Sequence, residues 1–413
     1  MLQSVFGLVV LVFIAWLLSR DRSRMPWRML LGGVALQFAI AGLMLKVSAF
    51  KGLFMALNRV VLAMEDATRE GTTFVFGYLG GGAVPFSELK PGGSFILAFQ
   101  ALPLVIVIAA LAGLLYHWGI LPRVVRGFSW VLGKTMGIGG ALGVGAAGTI
   151  FLGMIEAPLL IRPYLTRLTE SELFALMATG LSCIAGTMLM LYAGVLGSVI
   201  PDSLGHILTA SVIHAPAALA VAAVMLPERE KPTLGREMPR SQAAGAMDAV
   251  AKGAWDGMQL YLNILAMLIA MIALVKLVNI LMGFCPDVLG APLTLERMLG
   301  WVMAPAAWLL GIPWAEAHTA GSLLGVKVVL NEFIAFFQMA NLPREALSER
   351  TRLILAYAMC SFANLGSVGI IIGGMGSLMP ERRAQVASLC MRALAAGVIA
   401  SLMTGAVVGV LFS

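Results

Sequence analysis

The sequence predicts an all-α polytopic membrane protein with eight transmembrane helices, two opposed re-entrant hairpins, an inverted repeat and one interfacial helix. Three observations lead to this fold class. Of 413 residues, 60% are hydrophobic and only 12% are charged, and the mean hydropathy is +0.93. Long apolar runs fill most of the chain, and two similar units with interrupted apolar segments follow one another along it. Soluble domains carry about a quarter charged residues, so this composition excludes a soluble enzyme.

Eight apolar runs are long enough to cross a bilayer as helices, since a span needs about 20 apolar residues. These runs are residues 3–19, 29–47, 95–117, 172–200, 207–226, 258–284, 353–378 and 386–412. The first run has no basic segment before it and no small-residue cleavage site after it. We therefore expect it to stay in place as a membrane helix.

An amphipathic stretch, residues 48–70, separates the second span from the third. Its charged residues are Lys51, Arg59, Glu65, Asp66, Arg69 and Glu70, and it ends in the glycine-rich run 71–80. This pattern predicts an interfacial helix that lies on the membrane surface.

Two other apolar regions, 128–161 and 298–342, are each too long for a single helix. Gly, Pro and acidic residues interrupt both of them near the middle. Irregular backbone at membrane depth is tolerated only where it is buried in protein or lines a cavity. We therefore predict that each region is a hairpin that enters the membrane and returns on the same side.

The basic residues set the orientation of the spans. Two loops are basic: Arg20, Arg22, Arg24 and Arg28 follow the first span, and Arg229, Lys231, Arg236 and Arg240 follow the fifth. Both loops are assigned to the cytoplasm, which places both termini outside and the two hairpins on opposite sides. The net charge of +7 is thereby explained by orientation in a bacterial-type inner membrane, and no nucleic-acid partner is expected.

An internal repeat supports the same arrangement. Each unit has a hairpin with one glutamate, a polar turn and an interrupted helix; the first carries Glu156 and the second Glu332. Two units of opposite orientation are typical of secondary transporters. The chain then divides into an N-terminal scaffold, a first repeat with its cytoplasmic loop, and a scaffold helix followed by the second repeat, at residues 1–94, 95–257 and 258–413.

Glu156 and Glu332 are the first candidates for chemistry. A carboxylate at bilayer depth costs about 2.5–3.5 kcal/mol even on insertion scales, so it indicates a polar cavity, a substrate or a cation. The alternative is a structural ion pair with a basic residue of the bundle, for instance Lys327 or Arg392. The matching position of the two glutamates in their repeats favours a site.

Asn364 and Ser367 lie one helical turn apart, and Phe362 comes two residues before Asn364. An amide, a hydroxyl and an aromatic ring beside a carboxylate suit a sugar with vicinal hydroxyls that carries a flat ring. The alternative is that Asn364 and Ser367 only bond neighbouring helices, as polar residues often do in membrane bundles.

Several other functions lack the residues that they need. The four cysteines are far apart and no CxxC motif is present, so we expect neither disulfides nor a metal site. No phosphate-binding GK[ST] motif follows the glycine-rich run, so ATP-driven transport and any cofactor are not expected. A membrane-embedded enzyme that uses paired carboxylates and a passive channel stay open as alternatives to a carrier.

Four motifs resemble the concentrative nucleoside transporter family, in their order and spacing over nearly the whole chain. They are GTTFVFGYLG at 71–80, EAPLLIRPY at 156–164, NEF at 331–333 and SFAN at 361–364. The resemblance implies a non-enzymatic, cation-coupled nucleoside importer that forms a homotrimer in the bilayer. It also implies that Glu332, Asn364 and Ser367 bind the ribose hydroxyls, that Phe362 lines the site, and that Gly153, Met154, Ile155 and Glu156 meet the nucleobase. A nucleobase carrier of the same fold is the alternative substrate class.

The chain departs from the family pattern at the first hairpin and at the cation site. Met154 and Ile155 stand where the family commonly has Gln and Thr or Ser, which predicts weak discrimination between bases. The positions that match the sodium site of sodium-coupled members are Thr149, Leu152, Cys183 and Ile184. A thiol is a soft ligand and suits a hard cation poorly, so we favour coupling to protons over sodium.

Overall fold

A computed structural model of the chain describes residues 1–46, 48–86, 94–138, 140–233, 243–288, 290 and 292–412. These residues form eighteen α-helices and four short 3-10 helices, so the predicted all-α class is confirmed. Of the basic residues that set the orientation, Arg236 and Arg240 lie outside the described residues.

The scaffold consists of the helices outside the two repeats, and it includes α4 and α5, which lie within the segment 95–257 that we predicted from the sequence as the first repeat. Its helices are α1 (Leu2–Leu17), α2 (Trp27–Lys46), α3 (Ser48–Phe76), α4 (Leu97–Gln100), α5 (Leu104–His117) and α12 (Ala246–Met282). α12 packs mainly along α5, where Gly253 and Gly257 leave room for the backbone of the neighbouring helix. Small residues at such contacts let membrane helices approach closely.

The two repeats contain the same elements in the same order: an amphipathic helix, a hairpin, a broken helix and a long apolar helix. The first repeat is α6 (Ile120–Met136), α7 (Gly140–Leu152), α8 (Glu156–Leu159), a 3-10 helix (Arg162–Arg167), α9 (Glu170–Ser182), α10 (Gly186–Leu196) and α11 (Ser203–Met225). The second repeat is α13 (Leu295–Leu309), α14 (Trp314–Val329), α15 (Glu332–Asn341), α16 (Glu349–Met359), α17 (Leu365–Leu378) and α18 (Arg383–Leu411), with 3-10 turns at Arg344–Ala346 and Pro380–Arg382.

The predicted hairpin regions each contain one more helix than expected. Region 128–161 is divided at Gly137 and Gly140, which adopt φ values of +76° and +63°, so α6 ends before the hairpin begins. In region 298–342 the chain bends by 117° between α13 and α14, where Gly311 has a φ of +100°. We therefore call α7 with α8 hairpin 1, and α14 with α15 hairpin 2.

Four described helices are long and apolar enough to cross a membrane by themselves: Trp27–Met44, Leu97–His117, Ser203–Met225 and Pro380–Leu411. Two other predicted spans, 172–200 and 353–378, are broken helices, with gaps after Ser182 and after Met359. Two of the eight predicted spans therefore consist of half-helices, which are the interrupted helices that the repeat predicts.

Each broken helix begins at a side-chain cap in the polar turn that the sequence indicated. Thr169 and Glu172 form a capping box at the start of α9, and Ser348 caps α16 by accepting from the backbone N–H of Thr351. These caps satisfy the first N–H groups of helices that start at the membrane boundary.

The interfacial stretch extends further than the sequence predicted. α3 continues through Gly71 to Phe76, and a 3-10 turn, Gly77–Gly80, follows it. The hydroxyl of Thr72 donates to the carbonyl of Gly80 at 2.8 Å, which folds the glycine-rich turn back onto the helix. The end of the helix is therefore set by this contact and not by the first glycine.

α11 is the central helix, because 94% of its membrane-length window is buried. It packs against α2, α9 and α18, and it also touches hairpin 1 through α7. Gly33 on α2 lies close to the carbonyl of Pro216 on α11, where an added Cβ would come within 2.7 Å of the oxygen. The two repeats thus meet along α11, which contacts hairpin 1 through α7, the broken helix α9–α10 of the first repeat, and α16 and α18 of the second.

Candidate functional site

The carboxylate of Glu332 lies at the first turn of α15, directly after the break in hairpin 2. Its side chain is buried, with 4% of its surface exposed. Asn331 caps this helix, because its side-chain oxygen accepts from the backbone N–H of Ile334 at 2.8 Å. The positive end of the helix dipole favours an anion at this position.

Two side chains from other elements donate to Glu332. The phenol of Tyr192, on α10, donates to Oε1 at 2.6 Å, and Nδ2 of Asn364 donates to Oε2 at 3.0 Å. The broken helix of the first repeat, hairpin 2 and the broken helix of the second repeat therefore meet at one carboxylate. A carboxylate has about four acceptor positions, so capacity is left for hydroxyls of a ligand.

Asn364 and Ser367 lie at the start of α17 and are both buried. Oδ1 of Asn364 accepts from the backbone N–H of Ser367 at 2.8 Å, so the amide caps α17 with one end and holds Glu332 with the other. Phe362 is half-buried in the segment between α16 and α17. The structure thus joins Glu332, Asn364 and Ser367 through hydrogen bonds, and Phe362 lies next to them in the chain.

Lys327 does not form the structural ion pair that was the alternative for Glu332. Its ammonium donates to the carbonyl of Ala363 at 3.0 Å, and its side chain is 1% exposed. Among the described residues, no salt bridge joins Lys327 to Glu332. Arg392 is exposed on α18.

The tip of hairpin 1 is wedged between two helices of the core. Gly153 breaks the hairpin with a φ of +93°. Met154 is 9% exposed and packs against Gly180 on α9, and the end of Ile155 fills the space beside Gly374 on α17. The side chain of Glu156 lies outside those that the structure describes, while its backbone begins α8.

At the predicted cation positions, the polar side chains contact backbone carbonyls of the protein. Thr149 and Cys183 are fully buried; the threonine hydroxyl donates to the carbonyl of Ala146 at 2.7 Å. The hydroxyl of Ser211, on α11, donates to the carbonyls of Ile150 and Ile184 at 3.2 and 3.5 Å. Leu152 is the last residue of α7. The described residues contain no cluster of His, Cys, Asp or Glu that could hold a metal ion.

Comparison with known proteins identifies the class of protein to which these features belong. Family models described as "Na+ dependent nucleoside transporter" match residues 6–79 with their N-terminal part and 206–409 with their C-terminal part, and a "Nucleoside recognition" model matches 98–199. Nucleoside permease NupC of Helicobacter pylori is 33% identical over 99% of this chain and 97% of its own length. The chain belongs to the concentrative nucleoside transporter family.

Other members of the family are similar at the same level. The uncharacterized transporter YutK of Bacillus subtilis is 38% identical over 99% of this chain and 98% of its own length. Human solute carrier family 28 member 3 is 33% identical over the whole chain, which spans 60% of that protein. The solved structure of CNTnw in an inward-facing substrate-bound state has a TM-score of 0.91, 36% identity, and coverage of 100% of this chain and 99% of that one.

Membership of this transporter family decides two of the open alternatives. The chain is a membrane protein of a nucleoside-carrying family and is not an enzyme, so the hypothesis of a membrane-embedded enzyme is discarded. Relatives whose names state a function include nucleoside permease NupC and sodium/nucleoside cotransporter 2 of Rattus norvegicus, and a cotransporter is a carrier and not a passive channel.

Two polar residues of this transporter that contact the candidate site were not predicted from the sequence: Tyr192 and Ser211. Lys327 was considered only as an ion-pair partner of Glu332, and its bond to the backbone of Ala363 was not predicted. Each is a polar side chain inside an apolar span, which is a usable signal because buried donors need partners. The sequence does not identify those partners, since they lie on other elements.

Proposed function

We propose that this chain is a secondary active importer of nucleosides. The observation that carries the proposal is the buried carboxylate of Glu332, which Tyr192 and Asn364 hold in place without using all of its acceptor positions. A pair of vicinal hydroxyls on a ribose can donate to such a carboxylate with charge-assisted strength. A site of this kind selects for the sugar, and therefore for nucleosides over free bases.

In this proposal, the second repeat binds the ribose of the nucleoside and hairpin 1 binds the base. Glu332, Asn364 and Ser367 bind the ribose hydroxyls, and Phe362 offers an aromatic surface beside them. The tip of hairpin 1, from Gly153 to Glu156, meets the base. Because Met154 and Ile155 are apolar, we expect recognition by shape and stacking with weak discrimination between bases.

We assign the coupling ion as the proton, although the matching family models are named for sodium. Three contacts support this assignment. Ser211 donates its hydroxyl to the carbonyl of Ile184, an oxygen that a sodium ion would otherwise use. Cys183 offers a soft sulfur, and its Sγ lies 3.7 Å from the carbonyl of Ser211. The hydroxyl of Thr149 is bonded within its own helix.

The remaining parts of the proposal concern assembly and location. We propose a homotrimer in a bacterial-type inner membrane, with both termini outside. The basic loops support this orientation. The exposed apolar side chains of α12, among them Ile269 and Leu274, form a surface on that helix that suits lipid or a second protomer.

Uptake by proteoliposomes tests the proposed function. Purified protein should accumulate labelled uridine against its gradient when an inward proton gradient is imposed. Unlabelled nucleosides should compete, and uracil or adenine should compete poorly, because a base alone leaves the polar groups around Glu332 unpaired at about 1–3 kcal/mol. Competition by free bases that equals that of their nucleosides would indicate a nucleobase carrier instead.

A matched pair of variants links that assay to the site. Glu332→Gln should abolish uptake, since an amide presents a single acceptor oxygen where the carboxylate presents two. Glu381→Gln is the control, because Glu381 is an exposed glutamate in the 3-10 turn Pro380–Arg382 that precedes α18. Uptake by Glu332→Gln at the level of Glu381→Gln would remove Glu332 from the sugar site.

Replacement of sodium by choline at fixed pH tests the coupling ion separately. We expect uptake to be nearly unchanged by this replacement and to fall when a protonophore collapses the proton gradient. A strict sodium requirement would show that backbone carbonyls with Thr149 are sufficient to hold the ion, and the proton assignment would then be wrong.

A further inference from the structure

One face of α6 carries a stripe of basic and aromatic side chains. Arg123, Arg126, Trp130 and Lys134 follow one another at spacings of three and four residues, so they share a helix face, and all four are exposed. The ammonium of Lys134 lies 5.2 Å from the centre of the Trp130 ring. The opposite face packs into the core through Val125, Leu132 and Met136. We call the exposed face the basic stripe.

A cavity of about 670 Å³ lies between the basic stripe and the start of hairpin 1. Its lining contains two cations, a hydroxyl, an indole and several glycines, and it contains no carboxylate: Arg126, Ser129, Trp130, Gly133, Lys134, Gly137, Ile138, Gly140 and Val144. A third cation stands at its rim, because the guanidinium of Arg28 packs against Gly137. None of the ion pairs among the described residues involves Arg28, Arg126 or Lys134.

The chemistry of this cavity selects a phosphate group at a membrane surface. Arg, Lys and Ser are the usual donors to phosphate oxygens, and Trp is enriched at the level of the lipid headgroups. Basic pockets on the cytoplasmic side of membrane helices bind anionic headgroups. The orientation predicted from the basic loops places α6 on that side. Ile120 and Val124, which are 43% and 40% exposed, provide apolar surface on the same helix for acyl chains.

The equivalent helix of the second repeat, α13, has a similar arginine and tryptophan, but its arginine is already bonded to the backbone. α13 also has an arginine over a tryptophan, with Arg297 at 5.3 Å from the ring of Trp301. That guanidinium, however, donates to the carbonyls of Pro292 and Val288, and Glu296 stands next to it in the sequence. The basic stripe is therefore a property of the one amphipathic helix that the charges orient towards the cytoplasm, and not of the repeat as such.

We propose that the cavity beside α6 binds the phosphate of an anionic phospholipid of the membrane. Arg126 and Lys134 contact the phosphate, Ser129 donates to it, and Trp130 lies at the headgroup level. Two of the three glycines that line the cavity, Gly137 and Gly140, lie at the end of α6 and at the start of hairpin 1, so the bound lipid fixes the base of that hairpin.

Lipid retention and thermal unfolding test this site. Full-length protein in phosphatidylcholine nanodiscs is titrated with phosphatidylglycerol, and bound lipid is counted by native mass spectrometry. Wild type should retain phosphatidylglycerol in preference to phosphatidylcholine and should unfold at a higher temperature with it. Arg126→Gln and Lys134→Gln should each weaken retention about fivefold and reduce the gain in unfolding temperature.

Arg123→Gln is the matched control, because Arg123 lies on the same helix and is exposed but does not line the cavity. It should retain the lipid as wild type does. Equal losses from Arg123→Gln and Arg126→Gln, or equal retention of the two lipids, would overturn the proposal in favour of general surface charge. Displacement of the lipid by millimolar inorganic phosphate would also overturn it, since the cavity would then bind a soluble anion.

Discussion

The phenol of Tyr192 donates a 2.6 Å hydrogen bond to the carboxylate of Glu332, and both side chains are buried. The tyrosine belongs to the broken helix of the first repeat and the glutamate to the hairpin of the second. A charge-assisted bond of this length fixes the carboxylate in one orientation. The geometry of the proposed sugar site thus depends on contact between the two repeats.

Tyr192→Phe should lower the apparent affinity for uridine by roughly tenfold, because a hydrogen bond to a charged group contributes about 1.5–3 kcal/mol. The ring and its packing against Phe336 are preserved in this variant. Concentration dependence of initial uptake in proteoliposomes measures the effect. Tyr261→Phe is the control, since that hydroxyl donates to the carbonyl of Ala98 in the scaffold; equal behaviour of the two variants would contradict a role for Tyr192.

Asn364→Asp should separate the two functions of Asn364. Aspartate caps a helix as well as asparagine does, so α17 and the unfolding temperature should be preserved. The variant loses the Nδ2 donor, which lies 3.0 Å from Oε2 of Glu332, and places a second carboxylate beside that of Glu332. Uridine uptake should therefore fall to background in folded protein. Wild-type uptake at neutral pH would show that Asn364 acts only as a cap.

Gly374→Ala should impair uptake because the new methyl group would overlap the end of Ile155 at the tip of hairpin 1. The second substitution Ile155→Val removes the overlapping Cδ1 atom and should restore most of the lost uptake. Gly373→Ala is the matched control, as a Cβ there meets nothing within 4 Å. A normal rate for Gly374→Ala would mean that the hairpin tip does not need to stay seated against α17.

Thr149→Asn combined with Cys183→Ser should make uptake respond to sodium. The exchange replaces a thiol by a hydroxyl and adds an amide oxygen, and oxygen ligands suit a hard cation. Initial rates are compared in sodium and in choline at fixed pH. Cys390→Ser, a buried thiol on α18, is the control. An unchanged response to sodium would indicate that the bond from Ser211 to Ile184, and not the side chains at 149 and 183, keeps the position closed.

Much of this protein can be deduced from the sequence, because the bilayer makes polar residues conspicuous. Apolar runs of about 20 residues determine where helices form, and Gly or Pro within them determines where helices break. Glu332 and Asn364 stood out for the same reason, since a polar group in hydrocarbon is costly unless it has a partner or a function. The caps at Thr169 and Ser348 were recognisable as polar turns between apolar runs.

The partners of these polar residues were decided only by the tertiary structure. Tyr192 reaches Glu332 across 140 positions of the sequence, and Lys327 bonds the carbonyl of Ala363, 36 positions away, instead of forming an ion pair with Glu332. A helix buried on nearly all sides, such as α11, has no amphipathic period from which a facing neighbour could be inferred. Which side chains meet is therefore set by how the two repeats pack, through contacts that no local pattern encodes.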